Sequence, residues 1–85
     1  MSTTVSRESA DAAVRDALRG FATDAELAAL APEAPLRTAL ELDSLDFLTF
    51  VERLSRVRGD SIAEDDYPRL VTIRACVDFL TSSSS

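Results

Sequence analysis

The sequence contains no histidine and no lysine, and it has a single cysteine, Cys76. Without those two bases, neither a Ser-His-Asp triad nor a Ser-Lys pair can form within the chain. A zinc site would have to be built almost entirely from carboxylates. One cysteine also excludes an intramolecular disulfide. We therefore expect a protein that is not an enzyme, with no catalytic residues and no bound metal.

Glycine and proline are scarce as well, with two glycines and three prolines in 85 residues. Hydrophobic residues make up 46 % of the chain, which is too many for a disordered protein. Few helix breakers, together with abundant alanine, leucine and arginine, favour helix over sheet. The length is typical of one domain with a single modest core.

Positive charge is also in short supply, since 15 acids stand against nine arginines and the net charge is −6. Phosphate binding needs a basic face, so we expect neither nucleic acid nor an anionic membrane surface as a partner. A basic patch on another protein is the natural complement. No run approaches the roughly 18 apolar residues of a membrane span. The N-terminus lacks a signal-peptide pattern, so a cytoplasmic location is expected.

The spacing of apolar residues predicts a small all-α four-helix bundle, with three longer helices, one short helix and a long first loop. The longer helices are expected over about 6–21, 44–57 and 72–80. The short helix is expected within 61–70 and to start near Asp66, because Pro68 would then lie in its first turn.

The connection over residues 22–43 contains Thr23 followed by Glu26, a spacing that predicts a capping box and a short helical turn. The connection also carries leucines that can anchor it on the core, at Leu27, Leu30, Leu36 and Leu40. We expect a domain over residues 6–80, with a flexible N-terminus at 1–5 and a flexible serine-rich tail at 81–85.

Three apolar stripes are expected to face the core. The first helix offers Ala10, Ala13, Val14, Ala17, Leu18 and Phe21. The second long helix offers Leu45, Leu48, Val51, Leu54 and Val57, with Phe47 and Phe50 beside them and at least one of the two in the core. The last helix, capped by Thr72, offers Ile73, Cys76, Val77 and Leu80, so Cys76 is expected to be buried.

The stretch "LELDSLDFLTF" places Ser44 between Asp43 and Leu45, at the start of the second long helix. Two interpretations of Ser44 stay open from the residues alone. The hydroxyl can be a plain N-cap, a task that Asp43 could also perform. Alternatively, another protein modifies the hydroxyl with a phosphate ester, which the helix dipole and the free N–H groups of the first turn would favour.

This stretch resembles the attachment motif of acyl carrier proteins, in which Asp-Ser-Leu opens the second helix. The resemblance covers about residues 5–80, including the amphipathic first helix, the loop anchor Leu36, the apolar Ile62 before the acidic short helix, and the closing "TIRACVDFL". It implies that a phosphopantetheinyl transferase moves 4′-phosphopantetheine from coenzyme A onto Ser44, with Asp43 and Leu45 beside the attachment point. The terminal thiol of the arm would then carry an acyl group as a thioester.

The chain departs from that family in three places. Glu41 stands where members usually have glycine, Glu52 is the one glutamate of a helix that usually has several, and Val57 stands near the helix end where phenylalanine is common. These differences argue against the usual fatty-acid synthase partners. They indicate a carrier that serves a specialised biosynthetic pathway. We also expect the carrier to be stand-alone and a monomer.

Partner enzymes that load and use the acyl group are expected to dock on the helix after Ser44. Between Ser44 and Arg58, two acids stand against three arginines, so this helix is neutral to basic on an acidic body. The expected docking residues are Leu48, Val51, Arg53 and Arg56, with both arginines on the solvent side. Two other functions remain open: an aminoacyl or peptidyl carrier with the same arm, and a helical adaptor that is never modified.

Overall fold

The computed structural model describes residues 6–82 and contains six helical segments in that range. In chain order these are α1 (Arg7–Ala17), α2 (Asp24–Ala29), α3 (Leu36–Ala39), α4 (Ser44–Arg58), the 3₁₀ helix η1 (Glu64–Leu70) and α5 (Ile73–Ser82). The described residues form no strand, only one isolated bridge between Arg19 and Ala22. The predicted all-α bundle, with longer helices α1, α4 and α5 and the short helix η1, is confirmed.

The ends that were predicted to be flexible lie mostly outside the described part of the chain, because residues 1–5 and 83–85 are not described. None of the described helices is long and apolar enough to cross a membrane. The core consists of apolar side chains alone, and no polar or charged residue among those described is buried.

Helix α1 begins at a serine cap and ends earlier than its apolar pattern predicts. The Ser6 hydroxyl accepts a hydrogen bond from the Ser9 N–H at 3.0 Å. At the other end, the Leu18 N–H bonds to the Arg15 carbonyl, three residues back, and Gly20 takes a positive φ of 96°. The predicted end at Phe21 is therefore wrong. The apolar spacing continued to Phe21 because that ring also packs, half-buried, against the core.

Helix α4 buries only Val51 and Leu54 of the stripe that the leucine spacing predicted. Its buried residues are Phe47, Phe50, Val51 and Leu54, so both phenylalanines belong to the core. Three members of the predicted stripe are exposed instead: Leu45, Leu48 and Val57. A step of three residues falls about 60° short of a full helical turn, so five residues at this spacing walk about 240° around the helix. A stripe of that kind cannot face one core throughout.

Helix α5 packs along α1 and buries the stripe that was predicted for it, namely Ile73, Cys76, Val77 and Leu80. Phe79 is also buried and was not predicted. Thr72 acts as expected at the start, because its hydroxyl accepts a hydrogen bond from the Ala75 N–H at 3.0 Å. The helix runs to Ser82, two residues beyond the predicted end.

The short helix η1 begins at Glu64 and not near Asp66, so the predicted start is wrong. Pro68 lies inside the segment, where an α-helix would lose a hydrogen bond and meet a steric clash with the carbonyl four residues back. The 3₁₀ form has three residues per turn and bonds between residues three apart, as in the Asp66 N–H to the Ala63 carbonyl. Buried Ile62 and Leu70 anchor the two ends of this segment.

The long connection between α1 and α4 is ordered by two kinds of contact. Its capping box is confirmed, since the Thr23 hydroxyl and the Glu26 carboxylate each accept the other residue's backbone N–H. The connection also contains α3, which was not predicted. Two backbone hydrogen bonds join the long connection to its neighbours. The Leu36 N–H bonds to the Val71 carbonyl at the end of η1, at 2.9 Å, and the Arg74 N–H of α5 bonds to the Pro32 carbonyl at 3.0 Å.

Arg53 holds α4 against the end of α1, which contradicts its expected place on the solvent side. Its guanidinium donates hydrogen bonds to the Ala17 carbonyl at 3.0 Å and to the Arg19 carbonyl at 2.7 Å. The same group lies over the Phe21 ring, 5.1 Å from its centroid. The last carbonyls of a helix have no partner within it, so this arginine serves as a cap supplied from another helix.

We predict that Arg53→Ala lowers the free energy of unfolding by about 1.5–3 kcal/mol, the usual contribution of hydrogen bonds made by a charged group. The matched control is Arg56→Ala, an exposed position on the same helix, where the change should stay within about 0.5 kcal/mol. Chemical denaturation of the two variants measures the difference. Equal losses would contradict the capping role of Arg53.

We also predict slow labelling of Cys76 by a thiol reagent in the native state. The side chain is fully buried, and burial raises the pKa of Cys76 to about 12, so almost no reactive thiolate is present at pH 8. In denaturant the pKa of the Cys76 thiol returns to its ordinary range, so labelling should be fast. Native labelling at the denatured rate would show that α5 does not stay packed.

Candidate functional site

Ser44 is the first residue of α4, and it does not cap that helix. The Asp43 carboxylate performs this task by accepting the Asp46 N–H at 2.8 Å. The Asp46 carboxylate in turn accepts the Asp43 N–H at 3.4 Å. These two reciprocal bonds form a capping box in which Ser44 has no part. Of the two open interpretations of Ser44, the plain N-cap is therefore wrong.

The Ser44 hydroxyl is exposed, and no other residue in the range 6–82 makes a hydrogen bond to it. It stands where the first N–H groups of α4 have no partner within the helix, and where the helix dipole carries its positive end. An anionic group joined to this oxygen would lie beside those N–H groups. The hydroxyl is thus accessible for modification, and the fold does not use it for its own stability.

A groove of about 370 Å³ opens beside Ser44, between α4 and the segment that follows it. Most of its wall is apolar, while one arginine and one glutamate contribute charge. The lining residues are Ser44, Arg37, Phe47, Leu48, Glu64, Tyr67, Pro68 and Val71. The groove can therefore hold a slender molecule whose body is apolar.

Aromatic contacts shape the inner part of this groove. The rings of Phe47 and Tyr67 meet edge to face, with centroids 6.2 Å apart. The Arg37 guanidinium lies over the Phe47 ring at 5.7 Å, a favourable cation–π distance. The sequence did not predict Arg37 and Tyr67 as site residues, because they lie on α3 and η1 and reach the groove only through the tertiary fold.

Leucines on α4 form an exposed apolar patch next to Ser44. Leu45 is 75 % exposed and Leu48 is 43 % exposed, and Val71 across the groove is 49 % exposed. Leucine side chains with this much exposed surface are stabilised when a partner or a ligand covers them. Leu45 and Leu48 lie where docking residues were expected, although the docking itself stays a prediction.

Two residues expected to dock partners do not have the exposure that this requires. Val51 is 3 % exposed and packs in the core, so it offers no surface. Arg53 is half-buried and is bonded to the end of α1. Val51 was also predicted to lie on the core-facing stripe of α4, and the structure confirms that prediction against the docking role. Arg53 was misplaced because its partners, the carbonyls of Ala17 and Arg19, lie far away in the chain. Arg56 remains exposed, as expected.

Charge is unevenly distributed along α4. Asp43 and Asp46 flank Ser44, while Arg56 and Arg58 occupy the last turn. This arrangement complements the helix dipole at both ends. It also gives the Ser44 end an acidic surface that suits a basic partner. Within the described residues, no three acids or cysteines are grouped so that they could hold a metal ion.

The chain reaches Asp43 through a strained residue. Glu41 has a φ of 55°, in the left-handed region that glycine adopts without penalty and other residues adopt at a cost of about 1–2 kcal/mol. Glu41 is also the position where the resemblance noted above would place glycine. The backbone conformation supplies a physical reason for glycine at this position.

We predict that Glu41→Gly raises the free energy of unfolding by about 0.5–1 kcal/mol. Glycine removes the backbone strain of the native state, and this gain is partly offset because glycine also makes the unfolded chain more flexible. Glu41→Ala is the matched control: it removes the same carboxylate but keeps a Cβ, so it should bring no gain. Thermal and chemical denaturation compare the two variants. A Gly variant that is less stable than the Ala variant would contradict the left-handed conformation.

No protein-family model matches this chain, and no curated protein is significantly similar to it. The resemblance to acyl carrier proteins therefore depends on Asp43, Ser44 and Leu45 and on the order of the helices. What the site does is inferred below from its own residues.

Proposed function

We propose that the protein is a stand-alone acyl carrier of the cytoplasm, whose cargo is attached through 4′-phosphopantetheine on Ser44. The observation that carries this proposal is the exposed, unbonded hydroxyl at the start of α4, next to a capping box that leaves it free. A chain without histidine or lysine has no conventional base to activate this serine. Ser44 is then best explained as a substrate for another enzyme.

The site fits such an arm in both charge and shape. A phosphodiester on the Ser44 oxygen would lie at the N-terminal end of α4, where the dipole and the unpaired N–H groups favour negative charge. Arg37, on the wall of the same groove, adds a cation. The apolar wall formed by Phe47, Leu48 and Val71 offers contact to uncharged parts of the arm and its cargo.

When attached, 4′-phosphopantetheine supplies a thiol that holds an acyl group as a thioester. The protein's own residues hold and shelter the arm. Ser44 fixes its position, and the apolar wall of the groove reduces the contact with water of whatever lies against it. Cys76 plays no part in this chemistry, because it is fully buried in the core.

The proposed partners are a phosphopantetheinyl transferase and the enzymes that load and use the acyl group. The surface around Ser44 combines the exposed leucines Leu45 and Leu48 with the acids Asp43 and Asp46. A partner that binds here would offer an apolar depression bordered by basic residues. The charge pattern of α4, with arginines in its last turn, supports a specialised biosynthetic pathway with its own enzymes.

One observation supports a second candidate function, a helical adaptor that is never modified. The exposure of Leu45 is high enough to serve protein binding by itself. An adaptor would use the same apolar patch but would have no need of an exposed hydroxyl between Asp43 and Leu45. The test below separates the two functions.

We predict that incubation with coenzyme A and a broad phosphopantetheinyl transferase adds one arm to the protein, seen as a single mass increase in intact-protein mass spectrometry. Ser44→Ala should gain no mass, whereas Ser61→Ala, which removes another exposed hydroxyl, should be modified normally. An arm on the Ser44→Ala protein, or an unmodified wild-type protein, would refute the carrier function.

The fold of the Ser44→Ala protein is checked in the same experiment. Because Asp43 caps α4, the Ser44 change should alter the free energy of unfolding by no more than about 0.5 kcal/mol. Asp43→Ala, which removes the cap, should cost about 0.5–2 kcal/mol. This order of stabilities shows that a missing mass increase reflects the lost hydroxyl and not an unfolded chain.

A further inference from the structure

A second groove, of about 420 Å³, lies between α1 and the C-terminal half of α4. Small side chains, Ala13 and Ala17, form part of its lining. Three arginines border it, Arg19, Arg53 and Arg56, together with the exposed Val57 and a single acid, Asp16. The groove is thus a locally positive surface on a chain whose net charge is −6.

Arg56 differs from every other arginine of the protein, all of which lie within residues 6–82. Among the described residues it has no ion pair, hydrogen bond or aromatic ring as a partner, and it is exposed. The other arginines each have at least one such partner: Arg7, Arg15, Arg19, Arg37, Arg53, Arg58, Arg69 and Arg74. Arg56 is therefore the arginine whose guanidinium makes none of these three kinds of contact.

The other two arginines of the groove are held in place. Arg19 pairs with Asp16 at 3.2 Å and lies 3.7 Å from Asp24. Arg53 is bonded to the carbonyls at the end of α1. Their positions are fixed before any partner arrives, so less side-chain entropy is lost on binding than with free arginines. Arg56 can then close on an incoming carboxylate, and Val57, 47 % exposed, offers an apolar contact beside it.

We infer that this groove binds an acidic segment of a partner protein, with a carboxylate of that segment on Arg56 and a neighbouring apolar side chain against Val57 and the alanines. The charge of the groove is opposite to that of such a segment, while the rest of the protein is acidic and repels it. The groove is therefore the surface that we expect such a segment to bind.

Two other occupants fit the groove less well. A nucleic acid is held through many phosphate contacts, and one free arginine on an acidic body does not supply them. A second copy of this chain would have to place its acidic Glu64–Leu70 segment in the groove, which joins two different surfaces head to tail. Such contacts form open chains unless the rotation closes a ring, so a separate partner is the better match.

The groove lies at the opposite end of α4 from Ser44. Arg56 is twelve residues further along the helix, which corresponds to about 18 Å along its axis. A partner bound at Arg56 therefore leaves the Ser44 hydroxyl and its groove open. This second binding surface does not depend on the proposed function, and it would serve a carrier or an adaptor equally.

The probe is the acidic peptide acetyl-Glu-Glu-Leu-Glu-Asp-Leu-Glu-Glu-amide, titrated into ¹⁵N-labelled protein and followed by amide NMR shifts. About 0.1 M salt, where the screening length is about 10 Å, weakens repulsion from the acidic body and leaves direct contacts intact. The expected shifts cluster at Ala13, Ala17, Arg56 and Val57, and Leu48 should not move. A peptide with lysine in place of each acid should produce no shifts at these positions.

Variants define the chemistry of this site. Arg56→Glu should weaken peptide binding about five-fold or more, since an attractive contact becomes a repulsive one. The matched control is Arg74→Glu, which changes the net charge equally at an exposed arginine outside the groove. The peptide affinity of the Arg74→Glu protein should fall much less. Val57→Ser should also weaken binding.

Four results would overturn the inference. The first is the absence of shifts at about 1 mM peptide, a concentration that detects even weak association, and the second is a set of shifts centred on the Ser44 groove. The third is an equal loss of peptide affinity in the Arg56→Glu and Arg74→Glu proteins. The fourth is concentration-dependent self-association in sedimentation that Arg56→Glu abolishes. The last result would assign the groove to a second copy of the chain. Failure of Ser44 to accept an arm would leave these measurements unaffected.

Discussion

The ends of α1 and α2 depend on guanidinium groups that come from other helices. Arg53 of α4 donates to the carbonyls of Ala17, the last residue of α1, and of Arg19 just beyond it, and Arg15 of α1 donates to the Leu27 and Leu30 carbonyls at the end of α2. Each group supplies donors at a helix end, where carbonyls lack partners within the helix or share one. Because a single planar guanidinium can donate several hydrogen bonds at once, arginine suits this task better than lysine would.

The rotation of α4 about its axis determines where the candidate site lies. In that rotation Phe47 and Phe50 point into the core, and Arg53 reaches the end of α1. Leu45 and Leu48 then point into solvent beside Ser44. The apolar patch at Ser44 and the arginine cap of α1 are therefore two results of the same helix rotation.

The sequence predicted the features that depend on neighbouring residues. The capping box of Thr23 and Glu26 and the buried face of α5 were both predicted from residues a few positions apart. The position of Ser44 at the start of a helix was predicted for the same reason. Local chemistry decides such features with little help from the rest of the fold.

Features that depend on distant residues were missed or predicted wrongly. The carbonyl partners of Arg53 lie 34 and 36 residues away in the chain, and no local spacing indicates them. The buried face of α4 was chosen wrongly because the helix carries more apolar residues than one face can hold, and only packing against α1 decides among them. The groove at Ser44 combines residues of α3, α4 and η1 with Val71, so it could not be predicted before the helices were packed.

The two backbone hydrogen bonds that join the long connection to the end of η1 and to α5 have a consequence for how this region can change in evolution. They run from Leu36 to Val71 and from Arg74 to Pro32, and they use main-chain atoms only. A change of side chain at any of these positions, except to proline at a donor, leaves such a bond in place. An insertion or deletion between Pro32 and Leu36, in contrast, changes the spacing of the two bonds, so that both cannot keep their present partners. The fold therefore constrains the length of this short stretch more tightly than its side chains.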